Sequence, residues 1–189
     1  MLKIINLITK YKITIITTII STIIVLSVMF ILADIKQNKI YKNAESQIIE
    51  LSQNIIKSYR LRPDYWGLST DEVINKKLYS SGMKINNNKL IGIFDKLVEV
   101  GSDETGNVVM PTQKHFVIAY KNFNKIQCVK VLSQKFNKNF WLSVNKITIK
   151  NNEISQDFVW GSNDFALPIS PKNLRNLCVS EKNTIIMQF

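Results

Sequence analysis

The chain has 189 residues, 46% of them hydrophobic and 21% charged, with 25 lysines and arginines against 14 aspartates and glutamates. To the converging set of His, Asp, Glu or Cys that a metal or acid/base enzyme needs the chain offers a single histidine, and its two cysteines do not form a C-x-x-C pair. Basic residues never reach a run of five, so the excess charge argues for anionic surfaces in general and against nucleic acid as a partner.

Residues 13 to 33, from Ile13 to Ala33, contain no charged side chain. At about 1.5 Å per residue this run reaches the roughly 30 Å of a bilayer's hydrocarbon core, so it is expected to span a membrane as a helix. Thr14, Thr17, Thr18, Ser21, Thr22 and Ser27 are compatible with lipid because hydroxyls bond back to helix carbonyls. A cleaved secretory signal is the competing reading, but the run exceeds the usual 7 to 15 apolar residues, and Ile31 stands where cleavage after Ala33 needs a small side chain. Lys3, Lys10 and Lys12 before the run favour a cytoplasmic N-terminus, while Lys36, Lys39 and Lys42 after it pull the other way.

No proline or glycine occurs before Pro63 and Gly67, so the helix is expected to continue beyond the apolar run. Tyr41, Ala44, Ile48, Leu51, Ile55 and Tyr59 step by three and four and draw one apolar stripe. That stripe demands a partner surface, and Pro63 should end the helix. Ser69 and Glu72 read as a capping box, with Leu68 and Val73 as its staple, opening a short helix expected to reach Tyr79. Ser80 to Gly82 should end it, and Asn86 to Asn88 read as loop.

The period then changes to two. Phe116, Ile118 and Tyr120 alternate with His115, Val117 and Ala119, and Leu142 and Val144 alternate within FWLSVNKITIK, so both stretches read as strands. Between them, Cys128, Leu132 and Phe136 at steps of four predict a helix over Ile126 to Phe136 that begins after Asn124. Asn151 and Asn152 suit a hairpin connection through asparagine's tolerance of positive φ, and TIIMQF reads as a final strand. Beyond Asp34 the chain carries 22 basic and 13 acidic residues and is long enough for one domain.

Cys128 and Cys178, both beyond the apolar run, would make one disulfide in an oxidising compartment; two buried reduced thiols are the other reading. His115 is expected to face solvent, and Asp71 and Glu72 favour a helix start without any catalytic task. Asp103 and Glu104 in GSDETG lack the ligand number of an EF-hand and read as a hairpin tip, and no P-loop lysine accompanies Gly101 and Gly106. No catalytic residue, cofactor or metal is therefore expected, and the protein is read as no enzyme.

KNAESQIIELSQNIIKSYR (residues 42 to 60) is similar to the helix that follows the membrane segment in type IV pilins of the larger type IVb class. DYWGLSTDEVINKKLYSSGM (64 to 83) resembles the loop after it, HFVIAYKNFNKIQCVKVL the segment carrying the first disulfide cysteine, and LPISPKNLRNLCVS the segment carrying the second. The resemblance implies an α+β fold in which a long helix, half transmembrane and half amphipathic, packs on an antiparallel sheet. It also implies a structural subunit of a type IV pilus or a related secretion or conjugation machine. Residues 1–12 would be a short cytoplasmic N-terminus, 13–33 the transmembrane helix, 34–62 its amphipathic continuation and 63–189 the globular domain. The expected partners are membrane lipid, further copies and other pilins, with the protein in a bacterial inner membrane, its C-terminal domain in the periplasm, or assembled into a surface pilus. The stripe from Tyr41 to Tyr59 would serve packing and assembly. Two features of the family pattern are missing: the glycine ahead of the apolar run and the glutamate a few residues into it, since the first glycine is Gly67 and the first acid Asp34. A permanently anchored adaptor or platform with the same fold, and a periplasmic sensor or binding domain, are the alternatives.

Overall fold

The computed structural model describes residues 2–102, 114–134, 136 and 138–189. The chain divides into two units, residues 1–40 and 41–189. Helix α1, Leu2–Tyr59, makes up the first unit and contributes its last turns to the second. In the first unit, residues 18–33 are all exposed. Thr22 donates its hydroxyl to the Thr18 carbonyl at 2.8 Å and Ser27 to that of Ile23 at 2.8 Å, which satisfies both side chains inside their own helix. Among the described residues α1 is the one helix long and apolar enough to cross a membrane.

Among the described residues, the second unit is built on a sheet of seven strands, all paired antiparallel. They are β1 Lys84–Asn86, β2 Lys89–Ile91, β3 Leu97–Gly101, β4 Val117–Phe123, β5 Lys146–Lys150, β6 Ser155–Val159 and β7 Asn183–Gln188. Their order across the sheet is β1-β2-β3-β4-β7-β5-β6, so the last strand is inserted between β4 and β5. Strand pairing sets two apolar rows on the inner face: Leu90, Val98, Tyr120, Ile185 and Ile149, and beside it Val100, Ile118, Met187, Ile147 and Phe158. All ten are buried, and with the α1 stripe they form one core. The opposite face carries Glu99, Ala119, Ile186, Thr148 and Asp157 in a paired row.

The expected long helix, antiparallel sheet and terminal strand are all present, and several local expectations are corrected. Helix α2 covers Thr70–Asn75 and stops short of Tyr79, because Lys77 turns to φ 54° and the Leu78 amide donates back to the Val73 carbonyl. Its box is half formed: Ser69 accepts from the Glu72 amide, but the Glu72 carboxylate pairs with Lys76. Asn86 belongs to β1, and Asn87 and Asn88, at φ 48° and 57°, make the two-residue turn to β2. Helix α3, Lys125–Leu132, begins after Asn124 with a complete capping box through Gln127, yet ends four residues before Phe136.

Phe140 to Val144 does not form the expected strand. Residues Lys138–Ser143 make helix α4, which buries Phe140 and leaves Leu142 71% exposed; Val144, directly after the helix and four positions from Phe140, is buried too, so only Lys146–Lys150 is extended. Asn151 closes the β5–β6 connection with its side chain, accepting from the amides of Glu153 and Ile154, and neither Asn151 nor Asn152 adopts positive φ. The GSDETG tip from Asp103 on lies outside the described residues.

Candidate functional site

The second half of α1 organises the domain. Tyr41, Ala44, Ile48, Leu51, Ile55 and Tyr59 are all buried, and the structure brings them together along the side of α1 that enters the core. Tyr41 packs on Phe94 with ring centroids 5.4 Å apart, and Tyr59 on Tyr65 at 5.5 Å. Phe94 holds φ 56°, a conformation costly for a bulky residue, while lying between Tyr41 and Phe123.

Two buried polar residues on the same side, Gln47 and Ser52, lie outside the apolar stripe that the sequence displays. Gln47 follows Ala44 by three, the spacing that could have revealed it. At the edge of this side Glu50 accepts from the hydroxyls of Ser80 and Ser81 and from the Ser81 amide, fastening the segment after α2 to α1. Asn54 donates its side-chain amide to the Leu78 carbonyl at 3.1 Å, so the ordering of that loop rests on polar residues of α1.

At the end of α1, the Arg62 guanidinium lies 4.8 Å from the centre of the Tyr59 ring and Lys76 Nζ 5.5 Å from it. Burial pushes the Tyr59 phenol pKa upward, and Glu72 adds to this while Lys76 and Arg62 oppose it. Among the described residues the hydroxyls of Tyr59 and Tyr120 and Oε1 of Gln47 are buried without a hydrogen-bond partner.

Cys128 of α3 and Cys178 at the end of helix α5, Pro171–Leu177, form a disulfide with Cα atoms 5.8 Å apart. Helix α5 is an element that the periodicity does not announce. Ser170 caps it by accepting from the Asn173 amide and Pro171 occupies its first turn, a signal present in the SPKN sequence. Both helices send Cys128, Val131, Leu132, Leu174 and Cys178 into the common core.

Among the described residues, chemistry-bearing groups do not converge. His115, just ahead of β4, is exposed with Nδ1 3.1 Å from the Asn145 side-chain amide. Among the described residues no group of three or more His, Cys, Asp or Glu could hold a metal. A depression of about 580 Å³ contains Asp71, Lys89, Glu99 and Lys121, and the Glu99–Lys121 ion pair neutralises part of its charge. No nucleophile paired with a base is found there.

No protein-family model and no curated protein matches the sequence. Solved structures do match. The type IV pilin TcpA from Vibrio cholerae El Tor biotype superposes with a TM-score of 0.54 at 11% identity, over 80% of this chain and 99% of that one. The type IVb pilin from Salmonella typhi gives 0.50 at 14% identity, over 79% of this chain and 97% of that one.

The chain has the fold of a type IV pilin.

Within this pilin fold the α1 stripe forms the helix–sheet seam, and the disulfide joins α3 to the segment leading into β7. At this level of identity the likeness concerns fold, and the residues of the seam are this chain's own.

Proposed function

We propose that this protein is a pilin-like structural subunit: a membrane-anchored chain whose globular domain takes part in a type IV pilus or a related secretion or conjugation machine. The observation that carries this is α1. One continuous helix, Leu2–Tyr59, contains a charge-free run from Ile13 to Ala33 long enough for a bilayer and ends as the spine of a domain with the pilin fold. In this reading residues 13–33 span a bacterial inner membrane once, 34–62 continue the helix, and 63–189 form the periplasmic domain. The six stripe residues hold the spine to its sheet, leaving the helix's other side for neighbours. No catalytic group is required, because the task is assembly.

A second reading, a permanently anchored adaptor or platform, is favoured by one observation. The run from Ile13 to Ala33 contains no carboxylate, so it lacks the group with which a pilin helix would set its register against a neighbour.

Sheared surface filaments and membranes from the native host, probed with an antibody to the domain and followed by N-terminal sequencing, separate the two. The subunit reading expects the protein in the filament fraction with about 7 to 12 residues removed. An intact Met1 with the protein confined to membranes would overturn it in favour of the anchored one.

A further inference from the structure

We propose that the disulfide-joined pair α3 and α5 is a docking surface for a second copy of this chain, which presents the half-exposed strip of α1 around Glu45, Ile49 and Glu50. The inference rests on the subunit reading above and names the contact that subunit would make.

Ion pairs compensate only part of the domain's excess of cations. Its ion pairs among the described residues, Lys76–Glu72, Lys84–Asp95, Lys121–Glu99 and Lys146–Asp157, lie on α2, at the β1 edge and on the outer face of the sheet. On α3 and α5 the pattern differs. Lys125, Lys130, Lys172 and Arg175 are exposed, and among the described residues none of the four forms an ion pair. Neither helix contains an acidic residue, and none occurs anywhere from Lys114 to Lys150. Two apolar side chains accompany the cations: Ile126 at 62% exposure and Val179, directly after Cys178, at 42%. The disulfide fixes α3 and α5 to each other, so this surface is presented as one body.

The complementary surface is on the same domain. Glu45, Ser46, Ile49, Glu50 and Gln53 line a depression of about 370 Å³ on α1, along the border of its core-facing side. Among the described residues neither carboxylate meets a cation, and Ser80 and Ser81 hold Glu50 in place. A half-buried isoleucine between two uncompensated acids matches exposed isoleucine and valine between uncompensated lysines and an arginine. An anionic lipid surface would satisfy the lysines but leave the acidic depression open; a second copy satisfies both. Because the two surfaces differ, the contact is heterologous and propagates from chain to chain without closing on a two-fold axis.

Charge reversal tests this in the full-length chain, reconstituted in phosphatidylcholine vesicles as an equal mixture of light and heavy isotope-labelled protein. A zero-length carbodiimide should join Glu45 of one chain to Lys125 or Lys130 of another, giving mixed-isotope peptides. Glu45→Lys alone and Lys130→Glu alone should each reduce domain-to-domain cross-linking at this contact about tenfold, and the double variant should restore it, with reaction then between the reversed residues. An intact disulfide and unchanged circular dichroism establish that each variant is folded, and Glu45→Gln supplies a milder loss of charge. Single reversals that cross-link like the wild type would overturn the proposal, as would links only within one chain. Loss of binding to phosphatidylglycerol vesicles on Lys130→Glu, without any cross-link between copies, would also overturn it and give the surface to lipid. Recovery of the protein in filaments without the Glu45 link would sink this contact and leave the subunit reading standing; the link without filaments would do the reverse.

Discussion

Gly92, after β2, is packed so closely on Tyr120 of β4 that a Cβ at Gly92 would lie 3.2 Å from the ring's Cε1 and 2.8 Å from Cγ2 of Val98. Gln47 Oε1 of α1 would be 3.3 Å away, so the glycine lies where helix and sheet converge. Its φ of −99° is open to any residue, so the restriction is space and not backbone freedom. Gly92→Ala should therefore destabilise the domain by about 1–3 kcal/mol, the usual range for overpacking a core. At about 2–4 °C per kcal/mol, thermal unfolding of the full chain in detergent would register this readily. Gly82→Ala meets only the end of the Gln47 side chain and should cost less.

Tyr120 also makes stability depend on pH. Its hydroxyl is buried without a hydrogen-bond partner, and burial pushes its pKa well above the ordinary 10.0. The native state therefore keeps the proton while the unfolded state loses it above pH 10. Below that pH the two states bind the proton alike, and above it stability falls by up to about 1.4 kcal/mol per pH unit. Tyr120→Phe should remove this slope and, by deleting an unsatisfied hydroxyl, leave stability at pH 7 unchanged or slightly higher. Denaturant midpoints of both proteins at pH 7, 10 and 11 decide the matter. Tyr41, Tyr59 and Tyr65, whose pKa values burial also raises, are common to both and cancel in the comparison.

Features that depend on neighbours in sequence are legible from the residues alone. The α1 stripe is a local periodicity, and the Asn124 cap needs only Gln127 three residues on. Phe140 to Val144 misleads because five residues fit both periods: alternation pairs Leu142 with Val144, while a helix pairs Phe140 with Val144. Tertiary burial of Phe140 and Val144 chooses the helix. The position of β7 between β4 and β5, like the joining of α3 to the end of α5 by the disulfide, follows from long-range pairing that no local pattern encodes. Gln47 escapes a reading of the stripe for a related reason, since its burial is created by Gly82 and Gly92 from distant loops.

The disulfide closes a segment of 50 residues that contains the second half of α3 and all of α4, β5, β6 and α5. In the chain-entropy model a loop of that length contributes about 4 kcal/mol, so Cys128→Ser with Cys178→Ser should lower the melting temperature by roughly 8–16 °C. Reductant should lower the wild type to the same point and leave the double variant unmoved. A midpoint insensitive to reductant would mean that the sheet alone holds these helices.

The α1 stripe predicts a sharp contrast around one helix. Ile48, Leu51 and Ile55 have no exposed surface, and each contacts a core that already contains both apolar rows of the sheet. Truncating any one to alanine leaves a cavity between helix and sheet and should cost about 2–5 kcal/mol. Ser46→Ala and Gln53→Ala, on exposed positions one turn away, should change stability by less than about 0.5 kcal/mol. Limited proteolysis of the full chain reconstituted in lipid vesicles reads the difference. The Leu51→Ala domain should be cut much faster than wild type, whereas the Ser46 and Gln53 variants should match it. Equal protection of all three would mean that the sheet does not depend on α1, and the helix would then be a tether and not a spine.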